Sequence, residues 1–205
     1  MTQQTEDVLS NNGQDYNLVE IESPGNTFPV SLYRPPTPLN ICSMSTACAK
    51  GFNARFEVST KDGCLALTAL QVRTIGNAYP SIEGVAPVGQ AISFNKGPSN
   101  ILWADYMGMD VHMSQFLGRI LLGADFMREV NSYGASLYWC VLKIHVTEGR
   151  VTNAIDRSKE VVDQRKQTQE TGLHCPYSLG HYHYERELEW RKQEGGEEED
   201  TNEDL

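Results

Sequence analysis

Long apolar runs are missing from this chain of 205 residues. No stretch approaches the roughly 18 apolar residues that a membrane-spanning helix needs. The first residues, MTQQTEDVLSNNGQDYN, contain neither the basic start nor the apolar segment of a secretory signal. We therefore expect a cytoplasmic protein that does not associate with membranes.

The sequence also contains no CxxC pair and no Gly-rich phosphate-binding loop. The five cysteines include no CxxC pair, and their odd number argues against a framework of disulfides. The segments GVAPVG and GRILLG lack the Lys-Ser/Thr that completes a phosphate-binding loop. Basic residues do not cluster on any aromatic-rich strand, so the sequence does not support nucleic-acid binding.

Negative charge is abundant but unevenly placed. The formal net charge is −10, and the last twelve residues, EGGEEEDTNEDL, contain seven acidic and no basic residues. Subtracting this tail leaves a net charge of −3 for residues 1 to 193, which is close to balance. A polar run of like charges buries no apolar surface, so residues 194 to 205 should be a disordered acidic tail.

Alternating apolar residues predict strands. In residues 48 to 74 the apolar positions recur at period two on both sides of the Asp-Gly turn at 62–63, as in a β-hairpin. Residues 137 to 155 show the same arrangement around the Glu-Gly pair at 148–149. The segment YNLVEIE, residues 16 to 22, predicts a further strand.

The segment between the two hairpins fits two structures. Apolar residues in 115 to 130 fall on one face of a helix, but Gly118 and Gly123 each weaken a helix by about 1 kcal/mol relative to alanine. A strand over GRILLGADF is therefore an equal alternative.

These patterns predict an α+β fold in one domain, with a mainly antiparallel sheet and a short helical extension at the C-terminus. A helix in that extension would have its cap at Ser158. The expected divisions are a disordered N-terminus at 1–14, a β-rich core at 15–157, a partly helical extension at 158–193, and the acidic tail at 194–205.

Two parts of the chain resemble an uncharacterised family of small β-rich bacterial proteins. Residues 45 to 70 show its Ser-Thr-Ala-Cys start, its Gly-aromatic pair, an aromatic residue followed by Glu, and an Asp-Gly turn before a leucine-alternating strand. Residues 118 to 151 are similar to its second half. The resemblance implies a β-rich fold and favours a strand at GRILLGADF, and it implies no activity.

The segment LHCPYSLGHYHYE, residues 173 to 185, concentrates metal-ligating residue types. His174 and Cys175 are adjacent and rarely reach one metal ion together, so the candidate zinc ligands are Cys175, His181 and His183. Alternating tyrosines and histidines are also typical of an ordinary strand or loop that packs its tyrosines inward. We favour this second interpretation and expect no cofactor.

A second set of candidates is His112 with Ser114, and His145 with Thr147. Two His-x-Ser/Thr motifs resemble those of the two-histidine phosphoesterases, in which paired imidazoles act as general acid and base on a phosphodiester. The alternative is that His145 is an outward residue on a half-exposed strand.

Four further residues are assigned structural roles. Asp62 and Asp156 fit a turn and a helix cap, and Cys48 and Cys140 fit structural thiols because neither lies beside a basic helix start.

Two functions remain. The favoured one is a cytoplasmic protein-binding or immunity-type module without catalytic activity, whose acidic bias suits a basic protein partner. The alternative is a small metal-dependent or two-histidine hydrolase that acts on a phosphodiester-like substrate.

Overall fold

A computed structural model describes residues 7–23, 31–35, 41, 50–75, 80–88, 101–127 and 134–171. They form one eight-stranded sheet, one short 3-10 helix and one α-helix. The elements are β1 (Val8–Asn11), β2 (Gln14–Glu22), β3 (Phe52–Val58), β4 (Leu65–Ile75), β5 (Ile101–His112), β6 (Gly118–Phe126), the 3-10 helix (Gly134–Leu137), β7 (Tyr138–Thr147), β8 (Arg150–Asp156) and α1 (Ser158–Thr171).

The sheet has the strand order β5-β4-β3-β1-β2-β6-β7-β8. Neighbouring strands are antiparallel except for β1 and β3, which are parallel. The expected β-rich α+β fold with a mainly antiparallel sheet and a helix towards the C-terminus is therefore confirmed for the described residues.

One hydrophobic core is shared by most of the sheet. Its buried residues come from β1 to β7 and include Leu9, Phe56, Leu67, Tyr106 and Ile144. The two ends of the sheet also approach each other. At the start of β4, the Leu65 N–H donates a hydrogen bond to the Gly149 carbonyl in the β7–β8 turn. The sheet thus curves around the core, and we call the opposite side of each strand its outer face.

Both predicted hairpins are present. The first is formed by β3 and β4, and Asp62 accepts a hydrogen bond from the Cys64 N–H at 3.2 Å in its turn, as expected for a turn residue. The second is formed by β7 and β8, and its two turn residues, Glu148 and Gly149, both have positive φ angles.

The structure resolves the segment between the hairpins as strand β6. Gly118 and Gly123, which would weaken a helix, allow neighbouring groups to pack closely against β6. A Cβ atom on Gly123 would lie 2.4 Å from the Tyr138 ring, and one on Gly118 would lie 2.0 Å from the Glu22 carbonyl oxygen. A larger residue at either position would therefore clash with its neighbour in the sheet.

The prediction of a disordered segment at 1–14 is wrong for residues 8 to 14. Strand β1 lies between β2 and β3, and Leu9 is fully buried. Asp7 holds this segment in place, because its buried carboxylate accepts hydrogen bonds from the Ala54 N–H at 2.7 Å and from Lys50 Nζ at 2.5 Å. These partners are distant in sequence, so local composition does not reveal them.

Helix α1 begins with a side-chain cap, and of the two predicted candidates, Asp156 and Ser158, the cap is Asp156. Its Oδ1 atom accepts a hydrogen bond from the Ser158 N–H at 2.9 Å. The Ser158 hydroxyl instead accepts one from the Val141 N–H at 3.0 Å and so ties the helix to β7. Val161 packs in a second cluster with Leu121 and other residues on the outer face.

No helix among the described residues is long and apolar enough to cross a membrane. The part of the predicted extension beyond residue 171 and the acidic tail lie outside the described residues.

Candidate functional site

The two histidines of the His-x-Ser/Thr motifs lie on strands that are not neighbours in the sheet. His112 ends β5, and its 55% exposed imidazole lies 3.3 Å from a carboxylate oxygen of Asp110. His145 lies on β7, between Arg119 of β6 and Asn153 of β8. The register does not bring the two imidazoles side by side, so a two-histidine site stays a prediction.

Thr147, the hydroxyl candidate of the second motif, is exposed at the end of β7. It pairs with Arg150 across the β7–β8 turn. The zinc candidates Cys175, His181 and His183 lie outside the described residues. Within the part of the chain that the structure describes, no group of three or more His, Cys, Asp or Glu side chains is arranged to hold a metal ion.

The two described thiols, Cys64 and Cys140, have raised pKa values, whereas a catalytic cysteine needs a lowered one. Burial raises the pKa of the Cys140 thiol, and Asp125, whose carboxylate lies 3.4 Å from its sulfur, raises it further. Burial and Asp62 likewise raise the pKa of Cys64. Nucleophilic cysteines need a lowered pKa, so these two thiols are suited to structural roles.

Strand register aligns polar residues on the outer face of β2, β6, β7 and β8. Glu22, Arg119, His145 and Asn153 form one row across the four strands. An Arg119 guanidinium nitrogen lies 3.5 Å from a Glu22 carboxylate oxygen. His145 is half-buried in this row, and its neighbours along β7 face the core, as expected for an outward residue.

Lys143 lies in the next row of the same face. Burial lowers the pKa of its amine, and the Arg119 guanidinium lowers it further, while Glu22 opposes the shift. Arg157 and Glu160, at the start of α1, also act on Lys143, and these two residues form an ion pair of 2.7 Å with each other.

The outer face of β4 and β5 has a different character. Three large apolar residues on or beside it are exposed, namely Met107 at 58%, Val88 at 55% and Ile75 at 39%. The Arg73 guanidinium lies 5.7 Å from the centre of the half-buried Trp103 ring, which faces it across the two strands. We call this set of five residues the β4–β5 face.

The register explains why these side chains share one surface. Arg73 pairs with Trp103, and Ala69 pairs with Met107, so all four point to the same side of the sheet. Val88 forms an isolated bridge with Asp105 of β5, the first strand in the sheet order. Among the described residues, α1 packs on the other half of the sheet, near β7, and leaves the β4–β5 face uncovered.

Sequence reasoning missed this face because it predicted no strand at 101–112. The alternation of apolar residues that indicates a strand is present in this segment, but it is interrupted. Trp103, Asp105 and Met107 alternate with residues that face the core, and then Gly108, with a φ angle of 69°, breaks the alternation. Such a residue suits a β-bulge, which shifts the period of the pattern by one position.

Comparisons of the chain with protein-family models, with curated proteins and with solved structures found no match. The resemblance of residues 45 to 70 and 118 to 151 to a bacterial family therefore stays a prediction.

Proposed function

We propose that this chain is a protein-binding module without catalytic activity of its own, and that the β4–β5 face is its docking surface. The observation that carries the proposal is the exposure of Met107 and Val88 beside the stacked pair of Trp103 and Arg73. Exposed apolar patches on soluble proteins mark interaction sites, and Trp, Met and Arg are enriched in the cores of protein interfaces.

The charge of the chain supports a basic partner. The acidic tail accounts for −7 of the net charge of −10, and the 82% exposed Asp110 lies on β5 beyond Met107. Negative charge on a protein attracts a basic partner and speeds its association. An immunity-type protein that captures a basic effector in the cytoplasm fits this description.

The hydrolase alternative has less support. The strands that carry His112 and His145 do not pair with each other, so no strand register aligns the two imidazoles. A phosphodiester-cleaving site needs its acid and base within reach of one substrate.

The proposal is tested by affinity capture from a lysate of the source organism with two matched variants. Met107→Glu places a charge in the β4–β5 face, and Leu117→Glu places one at a 50% exposed residue in the β5–β6 loop, outside the face. We expect the wild type and Leu117→Glu to retain the same protein and Met107→Glu to lose it. Equal retention by both variants would refute the assignment of the face.

A further inference from the structure

The turn between β1 and β2 consists of two exposed residues, Asn12 and Gly13. β1 ends at Asn11 and β2 begins at Gln14, and these two residues pair across the turn. Asn12 and Gly13 have φ angles of 51° and 78°, which fit the type I′ turn that an Asn-Gly pair favours in a hairpin. No other asparagine in the sequence is followed by glycine.

The reacting groups of this pair are accessible. In such a hairpin the flanking residues make the backbone hydrogen bonds, so the Gly13 N–H points away from the ladder. No hydrogen bond joins this N–H or the Asn12 side-chain amide to another residue in the described part of the chain. A Cβ atom on Gly13 would meet nothing within 4 Å. The Gly13 nitrogen is therefore unshielded beside the Asn12 amide.

We propose that Asn12 is a site of spontaneous deamidation, which converts it to a mixture of aspartate and isoaspartate. The Gly13 nitrogen gives up its proton to water and attacks the Asn12 Cγ atom. The new N–Cγ bond closes a succinimide ring, while the Cγ–Nδ2 bond breaks and the nitrogen leaves as ammonia with a proton from water. A water molecule then opens the ring at either carbonyl carbon, which gives aspartate or isoaspartate.

The fold slows this reaction without preventing it. Attack requires the Asn12 backbone to rotate out of its turn conformation, so the β1–β2 turn has to open first. Exposed turns with few contacts open at a lower free energy than the core strands of a fold. Asn12 should therefore react fastest in the urea-unfolded chain, and in the folded protein it should still react faster than an asparagine within a strand.

The isoaspartate product changes the centre of the sheet. Its main chain runs through the Cβ atom and so lengthens the turn, which disturbs the pairing of Asn11 with Gln14. β1 lies between β2 and β3, and its Leu9 is fully buried. The isoaspartate form should therefore unfold at a lower urea concentration than the wild type. Asn12→Asp should unfold like the wild type, because Asp-Gly also suits a type I′ turn.

The test is incubation of the folded full-length protein near neutral pH in oxygen-labelled water, followed by peptide mapping with mass spectrometry. Each deamidated residue takes up solvent oxygen, which separates new conversion from any that is already present. We expect Asn12 to be converted at least about tenfold faster than Asn153, since Asn153 is exposed on β8 but precedes Ala154 rather than glycine. Conversion of Asn12 no faster than that of Asn153 would overturn the proposal.

A matched variant tests attack by the Gly13 nitrogen. In Gly13→Asn the new residue still tolerates a positive φ angle, so the turn is retained, but its side chain shields the nitrogen. Conversion of Asn12 should then slow by at least about tenfold relative to the wild type. An unchanged rate in a variant with a wild-type circular dichroism spectrum, or a product without isoaspartate, would contradict the succinimide route.

Discussion

Removal of the Asp7 carboxylate should destabilise the fold more than any single surface change. The Asp7 side chain is only 2% exposed, and its partner Lys50 is 12% exposed. In Asp7→Ala, the Lys50 ammonium stays largely buried without its counterion, and the Ala54 N–H loses its acceptor. Breaking one side of a buried ion pair costs about 3 to 5 kcal/mol, which is a large part of the stability of an average domain.

The control is Asp15, which lies on β2 opposite Ser10 of β1. Asp15 pairs with Arg55 at 2.9 Å, but the two side chains are 54% and 48% exposed. Solvent screens such a pair, so Asp15→Ala should cost less than about 1 kcal/mol. Urea denaturation followed by circular dichroism measures both free energies of unfolding.

A double variant shows whether the cost arises from the uncompensated charge. In Asp7→Ala with Lys50→Met the buried ammonium is also gone, so the loss of free energy should be smaller than the sum of the two single losses. A loss of less than about 1 kcal/mol in Asp7→Ala would show that Lys50 is not left as an unpaired buried charge, because such a charge is costly.

Two further variants test the packing of β6 and the start of α1. Gly123→Ala should lower the free energy of unfolding by about 1 to 3 kcal/mol, because its Cβ would lie 2.4 Å from the fully buried Tyr138 ring; unchanged urea unfolding would contradict this packing. Hydrogen bonds from Ser158 lower the pKa of Asp156, so this carboxylate contributes stability that is present above its unfolded pKa and lost as pH falls through its folded pKa. Asp156→Asn should therefore show a flatter decline in unfolding free energy between about pH 5 and pH 2 than the wild type, and an identical decline would count against the cap.

Local sequence patterns were sufficient for the hairpins. Period-two alternation on both sides of a turn identifies two paired strands, because the pairing partner lies only a few residues away. The same reasoning located the Asp62 turn and the Asp156 cap, whose hydrogen bonds reach two residues along the chain.

Long-range partners limited the rest of the prediction. Asp7 is 43 residues from Lys50 and 47 from Ala54, so nothing local marks residues 8 to 11 as a central strand. The sequence around Gly118 and Gly123 fits a helix or a strand. The reason for the two glycines is their close contact with the Glu22 backbone and the Tyr138 ring, which are distant in sequence. Tertiary contacts override local propensity in both cases.

The candidate surfaces needed the strand order. Lys143 and Arg119 become neighbours only through the pairing of β6 with β7, and Trp103 meets Arg73 only through the pairing of β4 with β5. The histidine motifs, by contrast, were visible in the sequence, but the register places them on non-adjacent strands.

The most direct test of the β4–β5 face is site-specific photocrosslinking in the source cells. A photoreactive amino acid replaces Met107 in one version of the protein and Leu117 in another, since both side chains are at least half exposed. We expect a discrete protein adduct from position 107 and none from position 117. Adducts of equal yield at both positions, or an adduct at position 117 alone, would rule out the β4–β5 face as the docking surface.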